Sequence, residues 1–241
     1  YLVAVGNQGM VFSSSDGNIW TERGSVEIGT TTLNSVVYGA QGFAAVGFSG
    51  KVFLSANGIN WTAQESGVTS HLNKIVYGHG KYAVTGDSGT HLISSDGVNW
   101  VNTDVGSLPY DSIAVTQDGF ISVGQYGWLT QSTDGANSWQ EINLGAHYFK
   151  QVIAVGESIF AYDNYDIYVN GDYTPPLPTA KPTQLSMKDR KTGIKTLDVA
   201  FGNNQFVTVG CAEDYCREGD QGGVMVSANG TQWRMITVPF I

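Results

Sequence analysis

A motif of about forty residues recurs six times along this 241-residue chain. Each unit begins with a run of small and β-branched residues ending in glycine, followed by a short turn. A second run then leads into Ser-x-Asp/Asn-Gly and a tryptophan. The first run reads VAVG (Val3–Gly6), AAVG (Ala44–Gly47), AVTG (Ala83–Gly86), ISVG (Ile121–Gly124), FAYD (Phe160–Asp163) and VTVG (Val207–Gly210). The starts are spaced by 41, 39, 38, 39 and 47 residues. A fixed period of roughly 20–50 residues marks a solenoid, a propeller or an array, because one unit cannot bury its apolar face alone.

The unit over residues 33–66 shows how such a chain folds locally. Leu33–Tyr38, Phe43–Val46, Val52–Ser55 and Trp61–Gln64 each read as a short strand. Glycine-containing turns join them, and Asn57-Gly58 is expected to form a two-residue hairpin turn with both positions at positive φ. Four antiparallel strands in forty residues describe a propeller blade. Glycine at 31 of 241 positions fits many tight turns, and no segment sustains a helical period. The expected fold is all-β: a six-bladed β-propeller of four-stranded antiparallel blades, forming a single domain over residues 1–241. Small residues suit the crowded strands near the axis. Trp20, Trp61, Trp100, Trp139 and Trp233 recur at one place in the unit and are expected to be core.

The segment before each tryptophan carries a second signature. It reads SSDGNIW from Ser14, SSDGVNW from Ser94 and STDGANSW from Ser132, with asparagine for aspartate in SANG at Ser55 and Ser227. A degenerate copy, YVNG, starts at Tyr168. These segments resemble the Asp-box, or BNR repeat, of sialidase-like β-propellers, and the resemblance covers nearly the whole chain outside 174–195. It implies that Asp16, Asn57, Asp96, Asp134, Asn170 and Asn229 are structural, each capping backbone N–H groups of its own turn. The box identifies the scaffold and leaves function open, since hydrolases, lectins, sorting receptors and assembly factors share it.

Positions that vary between copies are those free to carry specificity. The turns between second and third strands differ in every unit and share a face with the crossovers linking units. That face is expected to hold Phe48, Asp87, Gln125, Tyr126, Trp128, Tyr162, Asp163, Tyr165 and Asp166. Aromatics mixed with carboxylates and amides suit a glycan or protein ligand. The expected role is therefore a binding module, placed outside the cell, in the periplasm or at the cell surface. One alternative is a structural or assembly domain of a larger surface protein. Another is a glycoside hydrolase using paired carboxylates such as Asp87 and Asp163. No catalytic set can be named. Sialidase chemistry needs three convergent arginines, and the four here (Arg23, Arg190, Arg217 and Arg234) are scattered. A photosystem-assembly-type propeller of this repeat is expected to show an arginine-rich face, which four arginines do not make.

The net charge of −9, with 12 lysines and arginines, excludes a basic nucleic-acid stripe. No apolar run is long enough to cross a bilayer as a helix. Cys211 and Cys216 lie in one acidic loop and are read as a local disulfide, with two free thiols as the alternative. No cofactor is expected. Calcium is the one ion with candidate ligands, Glu213, Asp214, Glu218 and Asp220, although the alternating spacing of a calcium loop is missing.

Two departures from the repeat concern its edges. Residues 174–195 hold four of the six prolines and read as an insertion replacing the fourth strand of blade five. Residue 1 falls in the second strand of its unit, so the first blade is expected to lack its inner strand. Only eight residues follow Trp233. A neighbouring segment or another chain is expected to supply that strand.

Overall fold

A computed structural model describes residues 1–103, 105–145, 147–156, 158–163, 166–170, 183–186, 195–202, 205–211, 222–227 and 234–236. In the strands from Asp166 onward the backbone alone is described. These residues form six antiparallel sheets in chain order. The first is β1 (Leu2–Val5), β2 (Val11–Ser14) and β3 (Thr21–Glu22). The second is β4 (Leu33–Gly39), β5 (Gly42–Gly47), β6 (Val52–Ser55) and β7 (Thr62–Gln64). The third is β8 (Leu72–Gly78), β9 (Lys81–Gly86), β10 (His91–Ser94) and β11 (Val101–Asn102). The fourth is β12 (Tyr110–Val115), β13 (Phe120–Gly124), β14 (Trp128–Ser132) and β15 (Gln140–Asn143). The fifth is β16 (Gln151–Val155), β17 (Ser158–Tyr162), β18 (Asp166–Asn170) and β19 (Thr183–Ser186). The sixth is β20 (Lys195–Gly202), β21 (Gln205–Cys211), β22 (Gly222–Ser227) and β23 (Arg234–Ile236). Strands are ordered within each sheet as they follow in sequence, the meander of a propeller blade.

Alternation along each strand explains why the sheets stack. In β5, Ala44 and Val46 point toward the third sheet and pack with Leu72, Ile75, Tyr82, Val84 and Leu92. Ala45 points the other way, into a cluster with Val11, Ile28, Phe53 and Trp61. Both faces of the second strand are therefore buried, and its short side chains allow neighbouring sheets to approach closely. Burial of each larger apolar side chain here contributes about 1.5–3 kcal/mol. Two further clusters repeat the arrangement between the third and fourth sheets and between the fourth and fifth. Among the described side chains the core thus lies between sheets, one slab for each neighbouring pair from the first and second to the fourth and fifth.

Three expectations change. The fifth sheet does have a fourth strand: β19 pairs with β18 from inside the proline-rich segment. Trp61 is buried, but Trp20 is 42% exposed. Trp61 and Trp100 pack into clusters with the preceding sheet, and Trp20 is in none of the described clusters. Finally, Gly58 alone takes positive φ in the Asn57-Gly58 turn. The Asn57 side chain explains this, because its Oδ1 accepts the N–H groups of Ile59 and Asn60 at 2.9 and 3.0 Å. An Asx-capped loop forms in place of a two-residue hairpin turn.

Candidate functional site

The two ends of the sheets differ in chemistry. At one end sit the Asp-box turns. Asp16 Oδ1 accepts from Asn18 and Ile19 N–H, Asp96 from Val98 and Asn99, and Asp134 from Asn137 and Ser138. These donors hold the three carboxyl groups below the ordinary aspartate range. For Asp16 and Asp96 the leading cause is backbone N–H donation; for Asp134 it is the Ser138 hydroxyl. A serine hydroxyl in each box bonds the Asx side chain and accepts a turn N–H as well. The polar atoms here satisfy one another, which makes the boxes clasps. An open cleft of about 620 Å³ lies beside two of them, lined by Gln41, Asn57, Asn60, Gln64, Asp96 and Val98 among others. The side chains of Asn170 and Asn229 lie outside the described set.

The other end is built from the turns joining second and third strands. Each of four turns places a non-glycine residue at positive φ (Gln8, Ser49, Ser88 and Tyr126) and follows it with a glycine also at positive φ. The amide beyond the glycine returns to the carbonyl of the first turn residue, as with Met10 to Asn7 and Lys51 to Phe48. This is the type I′ geometry suited to the strand twist. The turn glycines pack directly on the crossovers. A Cβ on Gly9, Gly50, Gly89 or Gly127 would lie within 2.4 Å of a crossover carbonyl oxygen. Turn and crossover therefore form one rigid surface, and side chains at the turn tips are presented outward.

Two aromatic platforms stand on this surface. Phe48, 43% exposed, stacks on His71 of the next crossover at 4.1 Å and 16°. The His71 Nδ1 accepts the Ser49 N–H at 3.0 Å, which fixes the ring against the turn. Tyr126 and Tyr148, both about half exposed, meet at 5.0 Å. The Tyr126 hydroxyl pushes the Tyr148 hydroxyl pKa up.

The inner strands add polar side chains at the same end, where Asn73 reaches the Asp87 turn. A register shift after the first residue of β4, β8 and β12 leaves Asn34, Asn73 and Asp111 outside the pairing. Asn34 Nδ2 donates to Leu72 O at 2.8 Å, and Asn73 Nδ2 donates to Tyr110 O at 3.2 Å, so each amide reaches the next inner strand. Asn73 also donates to Asp87 Oδ1 at 3.2 Å. Asp111 cannot donate, and instead accepts from Lys150 Nζ at 3.4 Å. Burial pushes the Asp111 carboxyl up; Lys150 opposes this and the Asp87 charge adds to it.

The candidates named from sequence divide accordingly. Phe48, Asp87, Gln125 and Tyr126 sit on the turns as expected from their places in the repeat. Trp128 opens β14 and is half-buried. Tyr162 is 5% exposed and is withdrawn from the face, because it occupies the buried second-strand position held elsewhere by Val46 and Val123. Asp163 faces His147 at 3.7 Å. Tyr165 lies outside the described residues, as do Cys216, Glu213, Asp214, Glu218 and Asp220. Asp166 and Cys211 are described by backbone alone. Among the described residues no group of three histidine, cysteine or acidic side chains is arranged to hold a metal. Arg23, the one arginine with a described side chain, donates to Ser13 Oγ at 3.0 Å.

His71, Asn73, Asp111, Tyr148 and Lys150 join the site without having been singled out. The signal for Asp111 was present, as Asn34, Asn73 and Asp111 occupy one repeat position. The crossover residues match no motif, and their contacts cross between units.

The sheets and their meander define a β-propeller, and solved structures share it. The structure of YCF48 bound to D1 peptide superposes with a TM-score of 0.72 at 17% identity, covering 97% of this chain and 76% of that one. YCF48 from Cyanidioschyzon merolae gives 0.71 at 14% identity, covering 97% and 80%. The WD40 β-propeller domain of Doa1 gives 0.68 at 16% identity, covering 98% and 78%. At these identities the likeness is one of fold. No family model and no curated protein matches the sequence.

Proposed function

We propose that this chain is a binding module that grips an extended protein segment on the face built by its type I′ turns and crossovers. In this reading the six sheets are six consecutive blades of a propeller. The observation that carries the proposal is the pair of exposed aromatic platforms, Phe48–His71 and Tyr126–Tyr148, on turns locked to the crossovers beneath them. Rigid aromatic surface binds with little loss of side-chain entropy. The same end offers the Asp87 and Asp111 carboxylates and the Lys150 ammonium, which suit polar side chains of a peptide. The YCF48 structure carries a peptide on the same kind of scaffold, which supports a protein ligand over a sugar.

A random-sequence peptide library displayed on phage and panned against the purified domain tests this. Enriched peptides are expected to bind at least about tenfold more weakly to Phe48→Ala and to Tyr126→Ala, each a loss of about 1.4 kcal/mol. The thermal midpoint should fall by no more than a few degrees, because both side chains are about half exposed and each loses one ring contact. Enrichment that ignores both substitutions, or binding confined to glycans on an array, would overturn the proposal.

A further inference from the structure

The second strand of a sheet is normally enclosed. β5 and β13 are buried along their whole length, and β9 is buried except at Lys81. β1 holds the same place in the first sheet, yet among the described residues it pairs only with β2, and Leu2 and Ala4 are exposed. Gly6 N–H donates to Met10 O at 2.9 Å on the β2 side. Alternation therefore turns the N–H and C=O groups of Val3 and Val5 toward the opposite edge, where no described strand lies.

Two further observations give that edge a shape. A Cβ on Gly47, Gly86 or Gly124 would fall 2.0–2.3 Å from the carbonyl oxygen of the residue preceding the inner strand: Thr32, His71 or Pro109. At Gly6, the equivalent glycine, the nearest atom is Met10 Cε at 4.0 Å. The following amide repeats the pattern. Phe48 N–H donates to Thr32 O, Asp87 to His71 O and Gln125 to Pro109 O, at 3.0, 2.9 and 3.3 Å. Asn7 N–H makes no such bond among the described residues. Among the described residues the first sheet thus presents edge groups at Val3 and Val5, an Asn7 donor without a backbone acceptor, and space above Gly6 that its counterparts fill with a peptide carbonyl.

We propose that the edge of β1 is a docking site for an extended polypeptide segment of the chain's own inner-strand type, which completes the first sheet as its fourth strand. The register follows from the second sheet, where Leu33, Ser35, Val36 and Val37 face Gly47, Val46, Ala45 and Ala44. The segment places its first residue opposite Gly6, skips one, and sets its third and fifth opposite Val5 and Val3. The carbonyl before its first residue enters above Gly6 and accepts the Asn7 N–H. β4 and β8 state the chemistry required: LNSVVYG and LNKIVYG, with leucine to enter the slab, asparagine at the bulge, then β-branched residues. The inner strands β4, β8, β12, β16 and β20 are already paired in their own sheets, so the occupant is a further copy of this pattern. Main-chain bonds supply affinity and the alternating side chains supply specificity, as in strand addition generally.

The test uses a synthetic peptide of residues 31–41, TTLNSVVYGAQ, titrated into the purified 241-residue protein by calorimetry, beside a scrambled peptide. The expected result is saturable one-to-one binding and a raised thermal midpoint with the native order alone. Gly6→Ala is the deciding variant. Its methyl reaches only Met10 Cε among the described residues, at 4.0 Å, an ordinary contact, so its unfolding midpoint should match wild type, while binding falls at least about tenfold. Phe48→Ala should bind this peptide normally, which separates this site from the loop face. Absence of binding, equal binding by the scrambled peptide, or indifference to Gly6→Ala would overturn the proposal. So would a concentration-dependent dimer that protects the β1 amides, since the occupant would then be a second copy of this chain.

Discussion

At the scale of single residues, the most consequential departure from the repeat is His91. It stands in the third strand of its sheet where Val11, Val52 and Leu129 stand in theirs, and it is fully buried. Nδ1 lies 3.1 Å from Gly89 O, which can only accept, so Nδ1 carries the proton. Nε2 is left to accept the Ser122 hydroxyl at 2.9 Å, and Thr130 closes the group. Tyr110 and Trp139 pack against the ring. Burial depresses the imidazole pKa from 6.5 to about 4. The imidazole is therefore neutral in the fold, and its stabilising effect is fully present above pH 6.5. As pH falls from 6.5 toward 4, the unfolded chain takes up a proton that the folded chain refuses, and stability is lost. The difference amounts to about 3 kcal/mol over that window. Urea unfolding at pH 7.5 and pH 4.5 should show wild type losing more stability on acidification than His91→Leu. Parallel losses in the two proteins would show that His91 does not govern the effect.

At the scale of elements, the turns decide what is rigid, and here the sequence was only partly legible. The forty-residue period located the strands because hydrophobic alternation and glycine punctuation are local. Asn57-Gly58 reads as the strongest hairpin signal, yet its side chain diverts the turn into an Asx cap. The type I′ turns fall instead at Ser49-Gly50 and Tyr126-Gly127, where a tertiary contact selects the left-handed conformation. That contact separates two glycines that look alike in sequence and backbone. Gly67 and Gly127 have φ of +79° and +73°, but a Cβ on Gly67 meets nothing, whereas one on Gly127 would lie 1.8 Å from Gly145 O. Gly67→Ala should cost about 1 kcal/mol, the left-handed penalty alone. Gly127→Ala should cost on the order of 3 kcal/mol or more, since crossover and turn must separate. Similar losses in the two variants, measured by denaturant unfolding, would show that turn and crossover do not bear on each other.

At the scale of the whole molecule, the described core is a chain of slabs, each shared by two sheets. Asp111 and Lys150 illustrate why the loop-face site was harder to read than the scaffold. They are 39 residues apart and meet only because consecutive inner strands lie side by side. Periodicity places each within its unit but does not show which unit it will face. The same architecture predicts how the molecule opens. β5, β9 and β13 each have a strand on both edges and a slab on both faces, so releasing their amides requires two sheets to part. Among the described residues β1 has one paired edge, and Leu2 and Ala4 are exposed. Amide exchange reports the lowest-energy opening available to each strand. In the free protein, Val3 and Val5 should therefore exchange at least about a hundredfold faster than Val46, Val84 and Val123, which would correspond to about 2.7 kcal/mol less opening free energy. Saturation with the peptide of residues 31–41 should close most of that gap for Val3 and Val5 while leaving the other three unchanged. Equal protection in the free protein would mean that the first sheet draws its stability from a contact other than the open edge.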